Sequence, residues 1–105
     1  MNRNALIIID LQNDFCPSGA LPVPNGDKII SIINKIIDKF YKVVATQDWH
    51  PENHISFAST HKKNAGDVVE IDGVKQILWP KHCVQGSYGA KLHKELDIRK
   101  VDLIL

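Results

Sequence analysis

The sequence has little of what would mark a specialised class. Two cysteines, Cys16 and Cys83, in 105 residues are too few for a disulfide scaffold. Read as reduced thiols, they point to a cytoplasmic chain. An excess of charge of one sign is missing: 13 Lys and Arg stand against 12 Asp and Glu, leaving a formal charge of +1. That balance argues against a nucleic-acid partner and against a polybasic hold on a membrane surface. Long apolar runs are missing as well. The longest, Ala5–Ile9, falls far short of the roughly 20 residues that a spanning helix needs. Met1-Asn2-Arg3-Asn4 leads into that run with no small-residue cleavage site, so a signal peptide is not expected. There is no internal repeat and no low-complexity tract. What remains is 44% apolar and 24% charged, the composition of one ordinary folded domain with a modest core.

The order of elements points to an α/β protein. Ala5-Leu6-Ile7-Ile8-Ile9 is a continuous β-branched run, as in a strand buried on both faces of a parallel sheet. Gln12 to Asn25 is rich in Asn, Asp, Pro and Gly and reads as loop. Ile29, Ile32, Ile33, Ile36, Ile37 and Phe40 then recur at helical spacing, with Asn25 or Asp27 placed to cap the helix. Lys42–Thr46 is a second buried strand, so strand, helix and strand make a βαβ unit, right-handed by rule. Val68–Ile71 and Val74–Leu78 flank Asp72-Gly73, a strong hairpin signal. Ala90–Leu96 is expected to be a short helix, and Val101–Leu105 a third buried strand.

Polar residues gather where strands end, which is where open α/β sheets build their sites. Asp10 closes the first strand, and Asp48, His50 and His54 follow the second. Asp48 and His50 are two apart, so in extended chain their side chains point the same way. Pro51 suits the first position of a short helix, with His50 at its cap and His54 one turn on. His82 offers a further ligand from the Trp79-Pro80-Lys81-His82-Cys83 loop. On spacing alone this set is either a carboxylate–imidazole metal site or a group of solvated loop histidines. Asp10 on the same footing could simply cap a loop, and Phe15 and Trp79 could be core aromatics. Cys16 and Cys83 read as small buried hydrophobes ahead of thiol nucleophiles. His61 and His93 read as surface residues, His93 on the exposed face of the expected Ala90–Leu96 helix.

Taken together the motifs are far more specific. Ala5–Asp10 with Leu11-Gln12-Asn13-Asp14-Phe15-Cys16, then Val43–Pro51 continued by His54-Ile55-Ser56-Phe57, then Trp79–Gly86, resemble three ordered signatures of the nicotinamidase/pyrazinamidase family within the isochorismatase-like hydrolases. The resemblance implies a three-layer, doubly wound parallel sheet of which this chain holds the first three strands. It implies hydrolysis of nicotinamide to nicotinic acid and ammonia, feeding NAD salvage. Asp10 would be the aspartate of an Asp-Lys-Cys triad, serving as general base to the thiol and then as proton donor to ammonia. Asp48, His50 and His82 would hold one divalent metal ion, zinc first, with iron or manganese as alternatives. His54 is a ligand in some relatives and stays outside the firm set. Phe15 and Trp79 would be the aromatic walls of a pyridine pocket.

The departures matter as much. The family's lysine follows the third strand and its nucleophilic cysteine lies later still; neither Lys94, Lys100, Cys16 nor Cys83 matches those positions. The chain is therefore expected to be the N-terminal part of one hydrolase domain, cut after the third core strand and inactive alone. A complementing C-terminal segment or a homo-oligomer would be its macromolecular partner, nicotinamide its small-molecule one. Unpaired apolar strand edges should make it poorly stable by itself. Two other readings stand beside this one: an isochorismatase-like hydrolase of another substrate, and a non-catalytic metal-binding remnant.

Overall fold

A computed structural model describes residues 3–105. Its centre is a parallel sheet of β1 (Ala5–Ile8), β2 (Lys42–Ala45) and β5 (Leu103–Ile104), in the order β1-β2-β5. The helix α1 (Ile29–Ile36) connects the first two strands and runs into a 3-10 turn over Ile37–Lys39. The register sets Leu6 against Val43 and Ile8 against Ala45. These four side chains share the face that α1 covers, and there they pack with Ile30, Ile33, Ile37 and Phe40. The third strand is shorter than expected because Asp102 ends it with its own side chain. Its carboxylate accepts the Val43 N–H at 2.9 Å while its own N–H donates to the Val43 carbonyl.

The helix turns further than its isoleucine spacing suggests. Ile30 and Ile37 are buried and Ile33 and Phe40 half-buried, whereas Ile29 and Ile32 face solvent. Seven large apolar residues over Ile29–Phe40 cover a wider arc than one sheet face can contact, so only part of it is used. No side chain caps the helix; Asn25 sits in left-handed backbone and a 3-10 turn, Gly26–Lys28, leads in.

Burial on both faces of β1 is not found. Ile8 is buried, but Ile7 is 61% exposed and Ile9 71%. Val44 and Leu103, paired across the sheet, lie on the same open side as Ile7. Among the described residues no helix covers that side. Nor is any helix of the structure long and apolar enough to cross a membrane.

The expected hairpin forms as β3 (Val68–Ile71) and β4 (Val74–Ile77), antiparallel, with Asp72 and Gly73 both at positive φ as a tight primed turn requires. The expected helix over Ala90–Leu96 does not form. Ala90, Leu92 and Leu96 are indeed buried, but their backbone is turn and bridge. Leu92 pairs with Gln12, and the His93 N–H donates to Leu11 O at 2.9 Å. Long-range bonds to the first loop replace the local ladder. His93 is accordingly half-buried in a turn and not on a helix.

The open face should govern behaviour in solution, because contiguous apolar surface on a sheet whose outer edges are unpaired among the described residues drives association. The double variant Ile7→Thr/Ile9→Lys is expected to lower concentration-dependent light scattering severalfold with an unchanged far-UV circular dichroism spectrum. Unchanged scattering would show that this face is not what associates.

Candidate metal centre and ring pocket

The ends of β1 and β2 and the loop after β4 converge. Asp48 and His50 follow β2, with His50 in an isolated parallel bridge to Val84. The His50 N–H donates to Cys83 O at 2.9 Å, and His50 O accepts the Gln85 N–H at 2.8 Å, so the two loops run side by side. Pro51 starts a single turn, closed by the His54 N–H on Pro51 O, and not a helix. Farther along, the Trp79 N–H donates to Ser56 O and the Ala58 N–H to Trp79 O. The segment carrying His82 is thereby stitched to the segment carrying His54.

Asp48, His50 and His82 each offer a ligand atom, and these atoms all lie within 4.8 Å of one another. His50 Nε2 is 3.2 Å from Asp48 Oδ1, and His82 Nε2 is 3.5 Å from Asp48 Oδ2. The other ring nitrogens fix the tautomers. His50 Nδ1 faces His82 O at 3.2 Å and His82 Nδ1 faces Pro80 O at 2.7 Å. A carbonyl oxygen only accepts, so both rings carry a proton on Nδ1, which makes Nε2 the nitrogen each can offer to an ion. Backbone carbonyls holding the far nitrogen are the usual outer support of metal-binding histidines. Two imidazole lone pairs and a carboxylate facing one point form a donor set that suits a divalent cation.

His54 is set differently. Its Nδ1 accepts the Ser56 N–H at 3.1 Å and lies 2.7 Å from Ser56 Oγ, which leaves the ring proton on Nε2. Its ring packs at 4.7 Å from that of His50, outside the donor cluster. Phe57 is fully buried beneath these rings, 5.2 Å from His50 and 5.4 Å from His82. His61 is half-buried, bonded through Nε2 to Ile55 O.

A cavity of about 290 Å³ opens over the donor set, lined by Phe15, Leu21, Asp48, His50, Ser56, Trp79 and His82. That is the small end of ligand cavities, with room for a single ring and not a nucleotide. Phe15 meets His82 edge-on at 5.7 Å, and Trp79 stands half-exposed across the opening. Asp10 does not line this cavity. It lines a neighbouring one with Phe15 and Cys16, so Phe15 is the shared wall. The Asp10 carboxylate is oriented by Thr46, whose hydroxyl donates to Oδ1 at 2.8 Å and accepts the Asp10 N–H at 3.0 Å.

Sequence reasoning assigned no role to Gln12, Asp14, Leu21, Ser56 or Phe57. Asp14 accepts the Cys83 N–H at 2.8 Å and the Ala20 N–H at 3.1 Å, bracing the residue after His82. A Cβ on Gly89 would strike that carboxylate, which is the reason for glycine there. Gln12 is bonded to the backbone of Asp48. These partners lie 36 and 69 residues apart in the chain, so no local spacing signals them.

Comparison with known proteins follows the same lines. Residues 4–105 match the isochorismatase domain family. The chain is 49% identical to a nicotinamidase of Acinetobacter baylyi over 105 residues, covering 99% of this chain and 49% of that protein. A solved structure of an Acinetobacter baumanii nicotinamidase/pyrazinamidase superposes with a TM-score of 0.89 at 46% identity, over 100% of this chain and 51% of the other. A pyrazinamidase of Pyrococcus horikoshii, solved in complex with zinc, superposes with a TM-score of 0.70 at 42% identity, over 97% and 50%. The chain thus spans about half the length of the curated relatives it matches.

Neither cysteine is poised to attack. Burial, and then the carboxylates of Asp14, Asp48 and Asp10, push the Cys83 thiol up from 9.0 to about 12. Burial and Asp27 raise that of Cys16. Thiolate is the reactive form, so both thiols are expected to resist iodoacetamide at pH 8 in the folded protein and to react once guanidinium unfolds it. The unfolded chain ionises near 9.0 and the folded one only near 12. The Cys83 contribution to stability is therefore complete below about pH 9 and lost as pH rises toward 12. Mass spectrometry of alkylated peptides checks the first expectation and alkaline melts the second.

Proposed function

The chain belongs to the isochorismatase domain family, and from that premise we propose that it supplies the general base, the metal centre and the ring pocket of a nicotinamidase-type amide hydrolase. The observation that carries this reading is the convergence of Asp48, His50 and His82 on one wall of a ring-sized cavity whose other walls include Phe15 and Trp79. The reaction is nicotinamide and water to nicotinic acid and ammonia, a step of NAD salvage. Zinc suits the donor set first, with iron or manganese as alternatives, and when bound it supplies a Lewis-acid contact that can hold a pyridine nitrogen.

The chain's own residues do the rest of the positioning. His50 and His82 present Nε2 because backbone carbonyls hold Nδ1. Phe15 and Trp79 offer flat faces between which an aromatic amide can lie. Thr46 occupies Oδ1 of Asp10. Oδ2 is then the oxygen free to take a thiol proton and later deliver it to departing ammonia. The nucleophilic cysteine and the lysine of the triad have no counterpart among these 105 residues, as the burial of Cys16 and Cys83 underlines. We therefore read residues 1–105 as the N-terminal portion of the hydrolase domain, working with a complementing segment or a second polypeptide, in the cytoplasm where thiols stay reduced.

Two measurements test this. After chelator treatment, titration with zinc is expected to show one site per chain, weakened more than about 100-fold by Asp48→Ala or His82→Ala. Mixing the chain with a polypeptide matching the second half of the Acinetobacter baylyi enzyme is expected to give ammonia release from nicotinamide that Asp10→Asn abolishes. Zinc binding untouched by either ligand variant would remove the metal centre. Hydrolysis of a different substrate only would favour another isochorismatase-like activity. Metal binding with no turnover in the mixture would favour the non-catalytic reading.

A further inference from the structure

We propose that Gln12 is a positioning residue for Asp48, standing in for a neighbouring strand so that the carboxylate is held in place before any metal arrives. The inference rests on the reading of Asp48, His50 and His82 as a metal centre.

Gln12 has no exposed surface at all, unusual for an amide side chain in a loop. Its Oε1 accepts the Asp48 N–H at 2.9 Å, and its Nε2 donates to Asp48 O at 2.8 Å and to Ala90 O at 2.8 Å. Two of these bonds close a ring on the backbone of one residue, as an adjacent strand would. On the β1 side, which Asp48 faces, the last ladder bond runs from the Thr46 N–H to Ile8 O, and beyond it the chain turns away at Asp10 in left-handed backbone. Among the described residues the Gln12 amide is the sole hydrogen-bond partner of the Asp48 main chain. It alone holds by hydrogen bonds the main chain of the one residue whose two carboxylate oxygens face both imidazoles.

The chemistry selects glutamine. Glutamate keeps the acceptor but loses both donors and brings a charge against two carbonyls. Asparagine is shorter by a methylene and loses the reach. An apolar side chain leaves the Asp48 N–H and carbonyl unpaired in a part-buried place. Gln12 is itself fixed by its own backbone, paired with Leu92 and donating to Asp10 O at 2.8 Å. It does not line the cavity, so its influence on a bound ion passes through Asp48.

A purely structural role is separable, because Gln47 Nε2 donates to the same Ala90 carbonyl at 3.0 Å and, among the described residues, makes no hydrogen bond to Asp48, His50 or His82. Zinc affinity is measured by chelator competition, and ligand geometry by the visible absorption of the cobalt-substituted protein. Gln12→Ala is expected to weaken zinc about 10- to 100-fold and to shift or weaken the cobalt bands. Gln47→Ala should stay within about threefold of the parent. Where Gln12→Ala melts below the assay temperature, Gln12→Glu is compared at 10 °C against the same thresholds. Should both unfold without metal, the cobalt spectrum at saturating ion decides, since bound metal drives folding. Parent-like zinc affinity and cobalt bands in the Gln12 variants, or an equal loss in Gln47→Ala, would overturn the proposal. Failure of the parent protein to bind zinc or cobalt would instead overturn the metal centre itself.

Discussion

The parallel register that sets Ile8 against Ala45 decides where everything else in the molecule can stand. It brings the first and second loops out of the sheet level with each other. The ladder then continues past the strands through side chains. Thr46 reaches Asp10 and Gln12 reaches Asp48, each pair 36 positions apart in sequence. A slip in this parallel pairing would part both couples. The core pairs Leu6–Val43 and Ile8–Ala45 are therefore part of the site, since they fix the register from which the polar contacts follow.

Two of the residues in left-handed backbone stand where the loops meet. Asp10 and Cys83 both have φ near +50°, a left-handed conformation that costs an ordinary residue about 1–2 kcal/mol. In each case a side-chain oxygen from a distant loop takes the strained residue's N–H: Thr46 Oγ for Asp10 and Asp14 Oδ2 for Cys83. A hydrogen bond of that kind offsets a conformational cost of the same order. The turn at Asp10 points a carboxylate off the strand axis, and the turn at Cys83 directs the chain from His82 back alongside His50. The unusual backbone thus does positional service on both sides of Phe15, and it persists because Thr46 and Asp14 oppose its relaxation.

Much of this could be read in the chain beforehand. The β-branched runs, the Asp72-Gly73 turn and the three strand-end motifs depend on spacing and residue type, which a sequence displays directly. On those grounds Asp48, His50 and His54 stood out with His82 beside them, and the fold brings Asp48, His50 and His82 together while His54 packs against His50 outside the cluster. What could not be read depends on who meets whom. Ala90–Leu96 has helical composition and buries Ala90, Leu92 and Leu96, yet its backbone is tied to the first loop through the His93 N–H on Leu11 O and the Asn13 N–H on Lys91 O. The open side of β1 was hidden for a related reason: a run of isoleucines shows that a strand can be buried, and only its neighbours show whether it is. Gln12 and Asp14 were present in the motif but silent, because a polar side chain declares its role through partners that sequence distance conceals.

The two chemistries assigned to this chain rest on different supports. The metal centre is enclosed by contacts among the loops themselves: carbonyls of Pro80 and His82 on the imidazoles, Gln12 on Asp48, Asp14 on Cys83, and Phe57 beneath. None of these involves the exposed sheet face. Asp10 stands instead at the end of β1, next to Ile9, whose side chain is largely in water. Thr46 orients one of its oxygens, and no hydrogen bond engages the other among the described residues. The candidate donor set is thus positioned by the loops alone, whereas Asp10 stands beside the open face with one oxygen held by Thr46.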